Sequence, residues 1–421
     1  MNKILLKSVL LPQSGTLANK VDVLIVENRF SEIAEQISAE NSAGAEIVDC
    51  SHMALLPAFY NAHTHAAMTL LRGYADDMPL FKWLSEHIWP MEGKMKGYEI
   101  EVGSRLAVLE MIKSGTVFFA DMYWHREHTM KVVEEMGIRA SIGVTFAENL
   151  VPPEVTEANI KFLREHRGES DRVKLAVMPH APYTVGEKLF QRLSGVAAEE
   201  GFRMHTHLAE TSNERESCPV KECSPVELLH RYGVLSDNLV AAHCVHLSDE
   251  DRKILADAGV YVAVNPCSNL KLNSGIPDIP AMMNAGICVA LGTDGASSNN
   301  NLDMREEMKM ASLIAKVKGD AESLPAWEAL KMATEGGAKA FGLNDAGRIA
   351  EGFLADGLLV NLDNERMVPC HNVVSNWVYA AGTDAIDSVI CNGRFVMRNR
   401  HVDGEEDILR EARDCVKKLV S

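Results

Sequence analysis

The sequence feature that most limits the possible folds of this chain is a series of eight short apolar segments. Amphipathic helical patterns separate them. The intervening segments have helical periodicity, and EVGSRLAVLEMIKSG ends at Gly115 as a helix should. Strands that alternate with helices build a parallel sheet, and eight such units close a (β/α)₈ TIM barrel. A doubly wound open sheet is the alternative, but it does not require eight strands. The predicted strands span 54–65, 117–122, 139–146, 173–180, 202–208, 238–243, 260–266 and 287–294.

The two ends of the chain share a different pattern of short strands and turns. It covers residues 1–56 and returns after the barrel in segments such as GRIAEGFLADGLLVNLD. We therefore predict an α/β protein in which both termini form a small β-sandwich domain. The predicted boundaries are 1–56 for its N-terminal part, 57–346 for the barrel, and 347–421 for its C-terminal part with a terminal helix.

The composition of the chain limits the classes of molecule that it is expected to bind. The 421 residues include 42 Lys and Arg against 59 Asp and Glu, so the net charge of −17 argues against nucleic acid as a partner. Nine cysteines without a C-x-x-C pair suit reduced thiols, and no segment reaches about 20 continuous apolar residues. We expect a cytoplasmic protein that acts on a small molecule and has no membrane partner. A homo-oligomer is one option for its assembly.

Polar residues stand where predicted barrel strands end, which is where TIM barrels carry their chemistry. His63 and His65 end the first strand and, two residues apart, share one of its faces. His207 ends the fifth strand, and Asp294 ends the eighth. Three imidazoles and one carboxylate suit a divalent transition metal such as zinc, with one position left for water.

The fifth strand contains a second H-x-H, so a choice between two histidines is required. His205 and His207 lie on the same side of the strand, about 7 Å apart. A metal at the strand ends favours the later residue. We therefore assign His207 as the ligand and His205 to the barrel interior beneath it.

Five segments resemble the amidohydrolase superfamily, and within it the 5′-methylthioadenosine/S-adenosylhomocysteine deaminase family: NAHTHAAMTLLRG, HLAET, AAHCVH, NPCSNLKL and LGTDGASSNNN. The resemblance runs through the barrel and the flanking β segments. It implies one Zn²⁺ per subunit, bound by His63, His65, His207 and Asp294. Another divalent transition metal is an option. The fourth strand ends in Met178, Pro179 and His180, without the lysine that bridges two metals in binuclear relatives, which supports a single ion.

The resemblance also implies hydrolytic deamination of the adenine of a 5′-substituted adenosine to hypoxanthine, with release of ammonia. Glu210 and His243 are then catalytic rather than ligands. Glu210 would carry a proton from water to the ring nitrogen, and Asp294 would accept the remaining proton and help to expel ammonia. His243 would orient the attacking oxygen.

Substrate contacts follow from the same resemblance. Trp83 and Glu92 would cap the site from the loop after the first strand, with Glu92 accepting hydrogen bonds from the ribose hydroxyls. His180 would reach the ribose or its 5′ group. Ser298 is a further candidate, as a polar wall of the site.

Two other classes of function remain open. One is another enzyme on this scaffold, which hydrolyses a triazine or deaminates a guanine-like or pterin ring. The other is a non-catalytic binding protein on the same barrel, which should have lost metal ligands, whereas every expected ligand is present.

The third strand bears on which 5′ group is preferred. S-adenosylhomocysteine has a tail whose carboxylate suits an arginine. Arg139 lies at the beginning of this strand, and Val144 stands near its end, where relatives that take the charged tail are expected to carry an arginine. We therefore expect a preference for 5′-methylthioadenosine, 5′-deoxyadenosine or adenosine, unless Arg164, Arg167 or a neighbouring subunit supplies the cation.

Overall fold

Two sheets carry the architecture of the computed structural model, which describes residues 2–13, 19–220 and 223–420. Its strands, β1 to β17, are Lys3–Leu11, Asn19–Val26, Arg29–Ala34, Glu46–Asp49, Met53–Pro57, Phe59–His65, Thr116–Asp121, Arg139–Phe146, Val173–Pro179, Arg203–Leu208, Leu239–His243, Tyr261–Val264, Val289–Leu291, Asp294–Gly295, Gly357–Asn361, Ile386–Cys391 and Arg394–Met397. Its α-helices, α1 to α15, are Leu80–Trp83, Trp89–Glu92, Gly97–Lys113, Arg126–Met136, Pro153–Glu165, Glu187–Glu200, Pro225–Arg231, Asp249–Asp257, Pro266–Lys271, Ile279–Asn284, Met304–Lys318, Ala326–Lys331, Gly337–Ala340, Val373–Tyr379 and Glu405–Leu419.

The larger sheet is the predicted barrel. Strands β6 to β13 follow one another in parallel, and β14 pairs with β6, so that Asp294 lies opposite Thr64 and the sheet closes. β13 and β14 are two parts of the predicted eighth strand, interrupted at Gly292. A Cβ on Gly292 would come within 2.8 Å of the His63 backbone nitrogen, so this close approach of the first and last strands requires glycine. The (β/α)₈ prediction is confirmed.

The smaller sheet joins both termini, as predicted. Its order is β17-β16-β15-β5-β1-β2-β3, with β4 alongside β1, and the antiparallel pairing of β15 with β5 connects the C-terminal strands to the N-terminal ones. Buried apolar side chains from both ends, such as Leu6, Phe30, Leu55 and Ile390, form its core. The sequence-based boundaries of the two domains stay predictions.

The C-terminal segment carries a final helix, α15, over Glu405–Leu419. Helix α15 packs against the barrel helix α3, and Arg105 Nη1 of α3 lies 3.4 Å from Glu411 Oε2. Within the described ranges, no helix combines the length and the apolar composition that crossing a bilayer requires.

A buried ion pair connects the barrel to the small β domain. Arg139, the first residue of β8, pairs with Asp356, which immediately precedes β15, and both side chains are almost fully buried. Tyr60 and the Asn392 backbone nitrogen donate to the same carboxylate, the latter over 2.7 Å. Because Arg139, Asp356 and Tyr60 are buried, removing the negative charge would leave an uncompensated guanidinium in the interior.

We expect Asp356→Asn to lower the free energy of unfolding by about 3–5 kcal/mol, the usual cost of breaking a buried pair from one side. The matched control is Asp345→Asn, because Asp345 pairs with Arg29 while both side chains are 40–49% exposed. That control should lose less than about 1 kcal/mol. Chemical denaturation of both variants checks the difference, and equal losses would contradict a buried role for Asp356.

Candidate active site

Three histidines and one aspartate converge at the rim where β6, β10 and β14 end. His63 Nε2 and His65 Nε2 lie 3.5 and 3.2 Å from Asp294 Oδ1. One potential ligand atom from each of His63, His65 and His207 lies within 4.8 Å of the other two. The structure thus brings together the four residues that the sequence proposed as metal ligands.

The ring nitrogens facing away from this centre have hydrogen-bond partners of their own. His65 Nδ1 donates to the Met122 carbonyl over 2.6 Å, and His207 Nδ1 donates to the His180 carbonyl over 2.9 Å. Because a carbonyl only accepts, both rings turn the lone pair of Nε2 toward the centre, as metal-ligating histidines do.

His63 is held in the same way, but by another imidazole. Its Nδ1 lies 3.2 Å from His205 Nε2, and His205 is fully buried beneath the site, as predicted. His63 Nε2 is buried without a hydrogen-bond partner, which is costly unless the atom binds something else. The donor set and this orphaned nitrogen therefore fit a divalent metal.

Asp294 completes the set with an ionised carboxylate in a strained backbone. Its φ of 60° is unusual for a residue other than glycine. Ser268 and Ser298 donate to Oδ2 over 2.6 and 3.1 Å. Burial alone would raise the pKa of Asp294, but its close contacts with the His63 and His65 imidazoles outweigh burial and hold the pKa well below its usual range.

Glu210 lies beside this centre, just past the end of β10. Its Oε2 is 3.8 Å from His243 Nε2, and Ser274 Oγ donates to Oε1 over 3.4 Å. Burial, together with the charges of Asp294 and Glu214, raises the pKa of Glu210 well above its ordinary value. A carboxyl group in this environment accepts and holds a proton more readily than an exposed carboxylate does.

His243 is oriented by two asparagines. The side-chain amides of Asn269 and Asn265 donate to His243 Nδ1 over 2.9 and 3.2 Å, so the proton of the neutral ring lies on Nε2, which faces Glu210. Burial is the main reason why the pKa of His243 falls to about 3. Sequence reasoning missed both asparagines, although they lie in the segment NPCSNLKL, which was singled out without assigning roles within it.

These residues line a cavity of about 690 Å³, counting the space at its mouth. His65, His207, Glu210, His243 and Asp294 form its floor, and His63 lies just beneath. The four predicted substrate contacts also line it: Trp83, Glu92, His180 and Ser298. Aromatic lining residues were missed, although two of them directly follow the predicted second strand: Tyr123, Trp124, Trp89 and Tyr183.

The predicted substrate contacts differ in their local bonding. Trp83 packs in an apolar cluster, and its indole donates to the Ala75 carbonyl over 3.1 Å. Burial raises the pKa of Glu92, and the hydrogen bond with the nearby Tyr123 hydroxyl offsets this increase only in part. His180 Nδ1 lies 3.0 Å from Thr184 Oγ1. Their roles toward substrate, like that of Ser298, stay predictions.

Comparison with known proteins gives a family for this fold and site. The family model described as the Amidohydrolase family matches residues 54–396. The chain belongs to the amidohydrolase family. This amidohydrolase is 45% identical over 384 residues to a 5-methylthioadenosine/S-adenosylhomocysteine deaminase from Pelotomaculum thermopropionicum, covering 89% of the chain and 88% of that protein.

Two further relatives cover nearly the whole chain. A 5′-deoxyadenosine deaminase from Methanothrix thermoacetophila is 42% identical over 421 residues, covering 99% of the chain and 100% of that protein. A crystal structure of an adenosine deaminase from Xanthomonas campestris with bound zinc has a TM-score of 0.93 and 31% identity, covering 99% and 98% of the two chains. Membership of the amidohydrolase family, together with the cluster of histidine and aspartate side chains, indicates a hydrolase with a metal cofactor.

We expect His65→Ala and Asp294→Ala to lose the bound metal, because each change removes one of the four predicted ligands. Metal analysis of purified protein after dialysis should give one equivalent per chain for the unmodified protein and far less for both variants. His52→Ala is the matched control, since His52 is exposed and lies outside the site. Full metal content in His65→Ala or Asp294→Ala would contradict the ligand set.

Proposed function

We propose that this amidohydrolase deaminates the adenine ring of 5′-substituted adenosines, such as 5′-methylthioadenosine, S-adenosylhomocysteine, 5′-deoxyadenosine or adenosine. The products are the corresponding hypoxanthine nucleoside and ammonia. The observation that carries the proposal is Glu210, a buried carboxyl with a raised pKa that borders the same cavity as the metal-binding imidazoles. The names of the relatives that are 42–45% identical support this substrate class over triazine, guanine-like and pterin rings.

We propose Zn²⁺ as the metal, with one ion per chain. His63, His65, His207 and Asp294 would hold it, and three nitrogen donors with one oxygen donor suit zinc. Strand β9 ends in Pro179, and its one lysine, Lys174, is exposed, which supports a single ion. A zinc ion at this position supplies the chemistry that the reaction needs, because it lowers the pKa of water towards about 7.

Glu210 provides the proton path. It takes a proton from the attacking water and delivers it to the ring nitrogen next to the attacked carbon, while the carbon–oxygen bond forms. Asp294 accepts the second proton of that water and passes it to the amino group. The carbon–nitrogen bond then breaks, and ammonia leaves with that proton. The neutral His243 donates from Nε2 to the attacking oxygen and stabilises the charge that develops there.

The walls of the cavity suit the rest of a nucleoside. Aromatic side chains surround the space above the floor, where a flat base can pack. Glu92 would accept hydrogen bonds from ribose hydroxyls, and His180 would contact the ribose or its 5′ group. Trp83 forms an apolar wall, and Ser298 holds Asp294.

The direct test is an assay of the zinc-loaded protein with the four nucleosides named above. We expect loss of the adenine absorbance with one equivalent of ammonia for each hypoxanthine nucleoside formed. Triazine, guanine-like and pterin compounds serve as comparison substrates. Turnover of one of these, with no ammonia from any adenosine, would contradict the proposal.

We expect Glu210→Gln to slow turnover by about 10²–10⁴-fold, because glutamine keeps the size of the side chain and cannot carry the proton. Metal content should stay at one equivalent, since Glu210 is not among the proposed ligands. Glu216→Gln, an exposed glutamate a few residues further along, is the control and should be unchanged. Parent-like rates for Glu210→Gln would show that Glu210 takes no part in proton transfer.

A further inference from the structure

Three successive backbone N–H groups around Glu210 donate to a single buried carboxylate. Ala209 N donates to Glu214 Oε2 over 2.9 Å, and Glu210 N and Thr211 N donate to Oε1 over 2.7 and 3.2 Å. Glu214 is 4% exposed, and burial raises its pKa, whereas the three N–H donors favour the ionised carboxylate and oppose that increase. Because a buried N–H group that loses its acceptor is costly, Glu214 fixes the backbone on both sides of Glu210.

This set of bonds exceeds what the start of a helical turn requires. Glu214 ends a short 3₁₀ turn over Ser212–Glu214, and of the three bonds the capping box of that turn uses only the one from Thr211 N. The bonds from Ala209 N and Glu210 N lie before the turn, where the chain leaves β10. Ala209 has a φ of 51° there, a left-handed conformation that is uncommon for a residue with a side chain. Glu214 thus stabilises the bend from which Glu210 enters the cavity.

The carboxyl group of Glu210 is held less firmly than its backbone. Ser274 Oγ lies 3.4 Å from Oε1, and His243 Nε2 lies 3.8 Å from Oε2. Both distances exceed that of a strong hydrogen bond, so neither contact fixes the carboxyl group closely. The direction in which this group points is therefore set mainly by the backbone that Glu214 holds.

The same bend is connected to the segment that supplies His243. The N–H groups of Val245 and His246, which follow that histidine, both donate to the Ala209 carbonyl over 3.0 Å. Ala209 thus accepts hydrogen bonds from the His243 segment and donates one to Glu214. Through these bonds, the bend at Ala209 couples the position of Glu210 to that of His243.

We propose that Glu214 is a positioning residue for deamination, which holds the bend at Ala209 so that the Glu210 carboxyl reaches both the attacking water and the ring nitrogen. The inference rests on the proposed function and adds a residue to its proton path. Glu214 is not among the described residues that line the active-site cavity, so it acts on the substrate only through Glu210.

Glu214→Gln in the zinc-loaded protein tests this role. Glutamine keeps the length of the side chain, but its NH₂ group would face one of the three backbone N–H groups, donor against donor. We expect kcat to fall by about 10–100-fold on whichever of the four nucleosides the parent deaminates fastest, because a displacement of about 1 Å can cost about 100-fold. KM should stay within about threefold, and metal content at one equivalent, since Glu214 contacts neither substrate nor metal.

A double-mutant cycle shows whether Glu214 acts through Glu210. In the Glu210→Gln background, adding Glu214→Gln should change kcat by less than about twofold, because no proton carrier is left to position. A residue that only stabilised the fold would lower kcat by the same factor in both backgrounds. If Glu214→Gln does not fold, Glu214→Asp serves in the same cycle, because it keeps the charge and shortens the reach to the three N–H groups.

Glu227→Gln is the matched control. Glu227 forms a capping box of the same kind at the start of α7, where its Oε2 accepts from Ser224 N over 2.7 Å, and it does not line the cavity. This variant should keep the parent kcat in both backgrounds.

Parent-like kcat for Glu214→Gln, or equal losses with and without Glu210, would overturn the positioning role. The proposed function stands in that case, because the parent protein still deaminates adenosines. If the zinc-loaded parent deaminates no adenosine at all, the proposed function fails, and the inference falls with it.

Discussion

The closure of the barrel between β14 and β6 is the constraint on which the rest of the site depends. Pairing of Asp294 with Thr64 places the carboxylate of the last strand against His63 and His65 of the first. Closure at this point needs Gly292, because the two strands approach too closely for a side chain. Without this pairing, the carboxylate and the imidazoles would stand on opposite edges of an open sheet.

Burying so many polar groups at one rim is tolerable because their outer atoms have partners. Backbone carbonyls hold His65 and His207, an imidazole holds His63, and serine hydroxyls hold Asp294. The same environment shifts the pKa values of two carboxyl groups in opposite directions. The pKa of Asp294 falls beside the histidines, whereas burial raises the pKa of Glu210. Because the two pKa values differ in this way, one site provides both a fixed anion, Asp294, and a group that moves protons, Glu210.

Periodicity in the sequence was sufficient to predict the barrel and its polar rim. Strands of a parallel barrel end at one rim, so residues such as His63, His207 and Asp294 could be brought together from strand ends alone. The break in the eighth strand was not predictable, because it depends on contact between β6 and Gly292. The cytoplasmic location and the homo-oligomer option stay predictions.

The parts of the site supplied by loops and helix starts were harder to predict. Asn265 and Asn269 contact His243 from the segment after β12, and no strand periodicity points to them. Glu214 lies in a short turn after β10, and its sequence neighbours do not show that its carboxylate accepts from three N–H groups around Glu210. Such contacts are set by how loops pack over the rim.

We propose that one metal ion lies where the first, fifth and eighth barrel strands end. Anomalous diffraction from crystals of the zinc-loaded protein, collected on both sides of the zinc edge, tests it most directly. We expect a single peak per chain, about 2.0–2.2 Å from the Nε2 atoms of His63, His65 and His207 and from an oxygen of Asp294. A second peak in the same cavity, or a single peak that lacks any of these four contacts, would contradict the account.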